Sequence, residues 1–302
     1  MNTAEQKKGT VIAAYRSYTL IEDSENNFFK CQQRKSIGQV VCGDIVTWQV
    51  EDEHSGVITS INERHSILQR PDINGKLRII ASNIDQVFIV VAHKPELNEG
   101  LIDRYLVAAE NSHLKPVILL NKIDLLDKQE LDAFKKRLKL YQDIGYKVIY
   151  TSAKQEHGLD SLIQVLNDNN NIFVGQSGVG KSSLINTILK DSNARIGEIS
   201  DATGKGKHTT TTAYLYPLKQ NQGHIIDSPG VREFGLVKLS EQDVADGFIE
   251  FRDYTGYCKF RNCAHKNEPG CSLLKAVKEH KISPQRWESY QRIITSINDE
   301  NH

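Results

Sequence analysis

The sequence predicts three unlike parts: an all-β barrel of the OB type over residues 1–68, a central α/β domain over 69–237, and a mainly helical unit with a metal-binding knot over 238–302. Three observations carry this. Before residue 68, Val, Ile, Tyr, Phe and Thr come in short runs cut by turn formers. From about Ile84, unbroken apolar runs alternate with segments of helical period. Near the end, three of the chain's five cysteines crowd between Cys258 and Cys271 around a histidine.

In the first part the strand-like runs are 10–14, 18–21, 27–32, 40–50 and 56–61, with turns at Asp23-Ser24 and Cys42-Gly43-Asp44. Five short strands in so few residues suit a small closed barrel. Such barrels bind single strands or structured RNA. Tyr15, Tyr18, Phe28, Phe29 and Trp48 fit either base-stacking or a purely structural core. Residues 64–71 read as the linker out of this unit.

In the second part, 87–91, 116–120 and 147–150 have the continuous apolar character of strands buried on both faces of a parallel sheet. Leu101, Ile102, Tyr105, Ala108 and Ala109, then Leu131, Phe134, Leu138 and Tyr141, recur at helical spacing, and 159–166 is a shorter helix. Residues 168–171 read as a polar hinge.

The chemistry begins after that hinge. A short apolar run at 172–174 leads into Gly175-Gln176-Ser177-Gly178-Val179-Gly180-Lys181-Ser182, followed by Ser183 and a helical pattern. This is a complete G-x-x-x-x-G-K-[ST] phosphate-binding loop in its strand–loop–helix context. Its glycines let backbone N–H groups close around phosphate oxygens, and the helix start adds positive potential. Lys181 neutralises the outer phosphates and the Ser182 hydroxyl suits Mg²⁺. Asn121-Lys122-Ile123-Asp124 follows the second strand and Ser152-Ala153-Lys154 the third. In an open α/β sheet the ligand lies at the carboxyl ends of the strands, so both segments are expected at the base. Asp124 can accept from N1–H and the 2-amino group of guanine, a pair adenine lacks. Unpairing such groups costs on the order of 10⁴-fold in selectivity.

Residues 204–212 form a basic, hydroxyl-rich loop containing His208, with a threonine suited to Mg²⁺ in the triphosphate state. The 224–230 stretch then gives a D-x-x-G motif. Asp227 is expected to reach Mg²⁺ through water, and the Gly230 N–H to sense the γ-phosphate. The phosphate loop thus comes after the base motifs. The α/β domain is a circularly permuted P-loop GTPase domain, joined through 168–171 and cut after D-x-x-G. The segment that rearranges on hydrolysis leads straight into the C-terminal part, so nucleotide state is expected to move it.

That part carries Cys258-x₄-Cys263-x-His265-x₅-Cys271, four ligands for a closed structural zinc site. Lys259, Arg261, Lys266, Lys275 and Lys278 surround it, fit for phosphate backbone or a solvated face. Trp287, Tyr290, Ile293 or Ile294, and Ile297 mark a last helix with a core-facing stripe.

Bulk properties set limits. With 38 Lys/Arg against 38 Asp/Glu, no global field draws the chain to nucleic acid, so any such contact is local. The N-terminus lacks a signal-peptide core and the longest apolar stretch, 87–92, is too short to span a bilayer. A cytoplasmic protein without membrane contact is expected, and its clustered cysteines point to metal rather than disulfides.

In this order the motifs resemble the circularly permuted GTPases that depend on the small ribosomal subunit, the RsgA/YjeQ family. The resemblance spans nearly the whole chain. It implies a GTPase of late small-subunit maturation, stimulated by the subunit and binding its rRNA through the flanking domains. It assigns guanine to 121–124, phosphates to 175–183 and one zinc to Cys258, Cys263, His265 and Cys271. The chain's short, mixed-charge ends differ from the basic tails of some relatives. The expected working form is a monomer.

Val231 follows Gly230, where many GTPases place a glutamine that orients water. Slow intrinsic hydrolysis follows, and a recruited group is needed. His208 is the candidate from its place in the mobile loop, and the resemblance points to the same residue. Two other readings are an RNA-binding scaffold gated by nucleotide, kept open by Val231, and an ATP-using kinase, opposed by Asp124.

Overall fold

The first five runs fold as β1 (Gln6–Ala14), β2 (Thr19–Asp23), β3 (Phe28–Gln33), β4 (Ile45–Asp52) and β5 (Ser55–Ile61). In the computed structural model the described residues are 6–71, 76–190, 213–218, 223–228, 239–261 and 263–299. The strands close into a barrel in the order β1-β2-β3-β5-β4. β1 pairs antiparallel with β2 and β4, while β3 pairs parallel with β5. The interior holds Val11, Ile21, Cys31, Val46, Trp48 and Ile58. Phe29 tilts against Trp48 with ring centroids 4.6 Å apart. A Cβ on Gly56 would lie 2.6 Å from the indole, so a glycine there makes room for it. Phe29 and Trp48 are therefore core. Tyr15 packs edge-on against Tyr214, 6.1 Å away, and tilts against Tyr18 at 4.7 Å. Both are half-buried, as is Phe28, so none of the five is an exposed stacking surface.

Two readings of this region are corrected. The strand expected over 40–50 begins only at Ile45. Gly43 sits at φ +88°, where an added Cβ would meet the Ser82 carbonyl oxygen at 2.2 Å, and Asp44 accepts from the Val41 N–H at 2.8 Å. Residues 64–71 are not a plain linker: β6 (Ile67–Pro71) pairs antiparallel with β7 (Leu77–Ser82). The buried Asp44 carboxylate pins both ends, accepting from Arg64 Nε at 2.6 Å and Nη2 at 2.7 Å and from Ser82 Oγ at 2.5 Å. A buried charge held this way is a long-range pairing that local periodicity does not encode.

Next come β8 (Gln86–Ala92), α1 (Glu99–Asn111), β9 (Lys115–Asn121), α2 (Lys128–Ile144), β10 (Lys147–Tyr150), α3 (Leu159–Leu166), β11 (Asn170–Val174), α4 (Lys181–Leu189), β12 (Tyr214–Pro217) and β13 (His224–Asp227). The sheet order is β10-β9-β8-β11-β13-β12, parallel except for β12. Val87 and Ile89 face one layer with Ile102 and Leu106 of α1 and Leu138 and Tyr141 of α2. Phe88 and Val90 face the other with Leu162 of α3 and Leu184 and Ile188 of α4. Burial of both faces is why these strands read as unbroken apolar runs. The helices start on side-chain caps: Asn98 accepts from the Leu101 N–H, and Asp127 and Glu130 form a reciprocal box before α2.

The hinge expected over 168–171 is also corrected, because β11 already begins at Asn170. The buried Asn171 amide donates to the carbonyls of Leu166, Asn169 and His224 at 2.7–3.0 Å. A satisfied buried amide fixes the junction instead of loosening it.

The last segment holds α5 (Glu241–Asp246), α6 (Ser272–Lys278) and α7 (Pro284–Asp299). Phe248, Phe251, Trp287, Tyr290, Ile293, Ile294 and Ile297 are buried in the same cluster as α1, so the α7 stripe is core. At its centre Arg286 is fully buried, paired with Asp103 of α1 at 2.5 Å and Glu250 at 2.6 Å. Its guanidinium lies 4.3 Å from the Phe248 ring centroid.

Candidate nucleotide site and metal knot

Strand β11 is late in sequence yet lies inside the sheet between β8 and β13, parallel to its neighbours, so its carboxyl end lies at the same edge of the sheet as those of β9 and β10. From there the chain turns through Gly175, Gly178 and Gly180 at φ +137°, +87° and +95°. A Cβ would lie 2.2 Å from the Val90 carbonyl oxygen at Gly175 and 2.4 Å from Asn121 Nδ2 at Gly180. Gly175 and Gly180 therefore answer to both conformation and close approach, and Gly178 to conformation alone. Val179 is buried and anchors the loop, Gln176 is half-buried, and Ser177, Ser182 and Ser183 are exposed at its mouth. Lys181 opens α4, and its Nζ donates to the Gly175 and Gln176 carbonyls at 2.7 Å each.

The segment after β9 grips this loop. Asn121 Nδ2 donates to the Val179 carbonyl at 3.0 Å, and Lys122 Nζ to the Gly178 carbonyl at 2.5 Å. Lys122 reaches there from a left-handed backbone, φ 62°, which opens the short turn Ile123–Leu125. Within that turn Ile123 and Asp124 are half-buried. The buried Ser152 donates to Asp124 Oδ1 at 2.6 Å and itself accepts from the Gln155 N–H at 3.1 Å. Ala153 is half-buried beside it and Lys154 exposed. Lys122 thus ties the segment that carries Asp124 to the loop that ends at Lys181. Sequence reasoning did not foresee that Asn121 would tie the two loops, nor that Thr151 Oγ1 would approach Asn121 Oδ1 at 3.4 Å. A buried asparagine in that motif was the available signal.

Asp227 ends β13, the strand beside β11, and burial pushes its carboxyl above the usual range. Of the residues expected at Mg²⁺, Ser182 and Asp227 are among the described ones. His208, the 204–212 loop, Gly230 and Val231 lie outside the described residues.

The knot gathers Cys258, Cys263, His265 and Cys271, whose ligand atoms all lie within 4.8 Å of one another. Cys258 Sγ is 3.9 Å from Cys271 Sγ and 3.5 Å from His265 Nδ1, which is 3.4 Å from Cys271 Sγ. A tetrahedron with Zn–S bonds of about 2.3 Å has S···S edges of about 3.8 Å, so the donor set fits zinc in chemistry and spacing. Burial holds the His265 imidazole below its usual pKa, hence neutral, the form that ligates metal. Burial raises the Cys258 thiol, but hydrogen bonds with Ser272, Cys263 and Cys271 together outweigh it and the net shift is downward. Ser272, with Oγ 3.0 Å from Cys258 Sγ, is a supporting residue the spacing did not reveal.

The family model for RsgA GTPase matches residues 61–237. The chain belongs to the RsgA GTPase family. It is accordingly a GTP-hydrolysing enzyme. A "Small ribosomal subunit biogenesis GTPase RsgA" of Saccharophagus degradans is 46% identical over 306 residues, covering 98% of this chain and 89% of that protein. One of the same name from Haemophilus influenzae is 44% identical over 299 residues, covering 98% and 86%. Among solved structures, YjeQ from Thermotoga maritima aligns with a TM-score of 0.82 at 30% identity over 97% of this chain and 98% of that one. YloQ, described as a circularly permuted GTPase, aligns at 0.81 with 26% identity over 99% and 98%. The RsgA-family fold thus accounts for the barrel, the permuted motif order and the C-terminal knot together. Among the described residues no helix is long and apolar enough to cross a membrane.

Proposed function

We propose that the chain binds GTP at the carboxyl ends of β8, β9 and β11 and hydrolyses it in a cycle coupled to the small ribosomal subunit, during that subunit's late maturation. The observation that carries the nucleotide assignment is the tether of Asn121 and Lys122 to the phosphate loop, with Asp124 held by Ser152 at the same end of the sheet. The subunit assignment rests on the names of relatives 44–46% identical over 98% of the chain.

In this reading Asp124 accepts from guanine, Ser152 orients it, and Ala153 and Lys154 border the base. Lys122 packs its stem along the purine and Ile123 shapes the turn. Residues 175–183 wrap the phosphates, and Lys181 exchanges its carbonyl partners for the outer phosphates. Ser182 and Asp227 serve Mg²⁺, which when bound neutralises charge developing on the phosphates. Gly230 senses the γ-phosphate and His208 orients the attacking water, recruited when the subunit orders its loop. Cys258, Cys263, His265 and Cys271 hold one structural zinc. Units 1–68 and 238–302 flank the 69–237 domain and contact rRNA, and nucleotide state repositions them. The chain works as a cytoplasmic monomer.

Phosphate release with GTP or ATP, alone and with small or large subunits, tests this. GTP turnover raised by small subunits only is expected. Equal turnover of ATP, or no response to small subunits, overturns the reading. His208→Ala retaining full stimulation removes that residue from it.

A further inference from the structure

The chain enters and leaves the first cysteine of the knot as Tyr257-Cys258-Lys259-Phe260-Arg261. It is fixed at several points. The Lys259 N–H donates to the Gly270 carbonyl at 3.0 Å, and the Cys263 N–H to the Phe260 carbonyl at 3.3 Å. Gly270, at φ +81°, lets the two strands of the knot touch: a Cβ there would lie 2.9 Å from Lys259 Cβ. On this fixed loop Tyr257 is 79% exposed and Phe260 44% exposed. Tyr257 is the most exposed of the large hydrophobic side chains among the described residues. Lys259 Nζ lies 5.6 Å from the Phe260 ring centroid, and Arg261 is exposed beside it. A cleft of about 700 Å³, lined by Tyr254, Tyr257, Pro269, Lys275 and Lys278 among others, runs from Tyr257 to α6. Charge is local as well. Residues 253–281 hold six Lys/Arg against three Asp/Glu in a chain that is neutral as a whole.

Exposed rings on a rigid loop, interleaved with cations, match neither a solvated face nor a duplex contact. The flat faces of paired bases are covered within a helix, so rings reach them only where the strand is unstacked. We infer that Tyr257 and Phe260 form a stacking platform for an unpaired nucleotide of RNA, with Lys259, Arg261 and Lys278 on the adjoining phosphates. This rests on the small-subunit reading above and sharpens it: the knot recognises single-stranded RNA, not duplex backbone.

The test uses the full chain and its Tyr257→Ala, Phe260→Ala, double Ala and Tyr257→Trp variants. Each is measured for binding to a labelled 12-nucleotide single strand, to a hairpin duplex and to small subunits, with subunit-free GTP turnover as a control for folding. Loss of one stacking ring is expected to weaken single-strand binding roughly 10-fold. Duplex binding and subunit-free turnover stay unchanged, and Tyr257→Trp keeps wild-type affinity. Equal affinity of the Ala variants and wild type for the single strand, or no single-strand binding by wild type, overturns the platform. Impaired subunit binding with unaltered single-strand binding also overturns it, and assigns the patch to a protein partner. Wild type that binds the single strand but ignores subunits leaves the platform standing and sinks the subunit reading instead.

Discussion

The nucleotide end of the sheet and the seam between α1 and α7 are built from the same kind of contact, yet only the first is written in a motif. At the nucleotide end, residues near 121 hydrogen-bond to residues near 179, across 56–58 positions. At the seam, Arg286 reaches Asp103 across 183. The first set ties loops to which the proposed nucleotide assigns fixed residue types. The second joins buried side chains whose only requirement is each other. Ligand chemistry recurs as a pattern, whereas a buried ion pair can be replaced by apolar packing of similar volume. Function is therefore legible at one place and invisible at the other.

The contrast can be broken most sharply at Asp124. Asp124→Ala is expected to cut the preference for GTP over ATP by about 10⁴-fold while leaving unfolding in urea nearly unchanged, as read by competition binding and a urea titration. A parallel loss of stability would make the nucleotide end structural as well. Arg286→Ala should show the reverse, losing about 3–5 kcal/mol in the same titration because Asp103 and Glu250 are left buried and unpaired. The paired change Arg286→Met with Asp103→Leu should recover much of that loss. Nucleotide affinity of whatever remains folded should match wild type.

Asn121→Ala lies between the two, since the amide both faces the site and ties the loops. Loss of one buried hydrogen bond predicts nucleotide binding weaker by roughly 10-fold, measured with a fluorescent GTP analogue. The smallest effect on stability belongs to Asp227→Asn. Because burial raises this carboxyl in the fold, the folded chain binds the proton more tightly than the unfolded one. The group therefore costs stability as pH rises through and above the carboxylate range. The Asn variant of the nucleotide-free protein should be more stable than wild type at about pH 8, with the advantage gone by about pH 3. It should also lose Mg²⁺-dependent turnover. A pH-independent difference would remove the carboxylate from the account.

How far the sequence reaches varies element by element. The central strands were readable because both faces are buried, and Val87 through Val90 show it as an unbroken run. The phosphate loop, 121–124, 152–154 and the four clustered Cys and His residues stood out as patterns because a phosphate, a purine edge and a metal each call for fixed residue types. The β6–β7 hairpin was not, since what defines it is Asp44 meeting Arg64 and Ser82. Asn171 likewise looked like part of a hinge until its three carbonyl partners came into view. The barrel aromatics stood open between core and surface, because one ring buries as readily as it stacks.

The sequence by itself determined the succession of parts, the permuted order of motifs and the residue types able to hold nucleotide and metal, because these follow from local periodicity and ligand chemistry. Only the tertiary structure decided which polar groups are tethers, which rings are core, and that Tyr257 and Phe260 stay outside. Those outcomes depend on which distant side chain arrives to satisfy or cover each group, and no local pattern records that arrival.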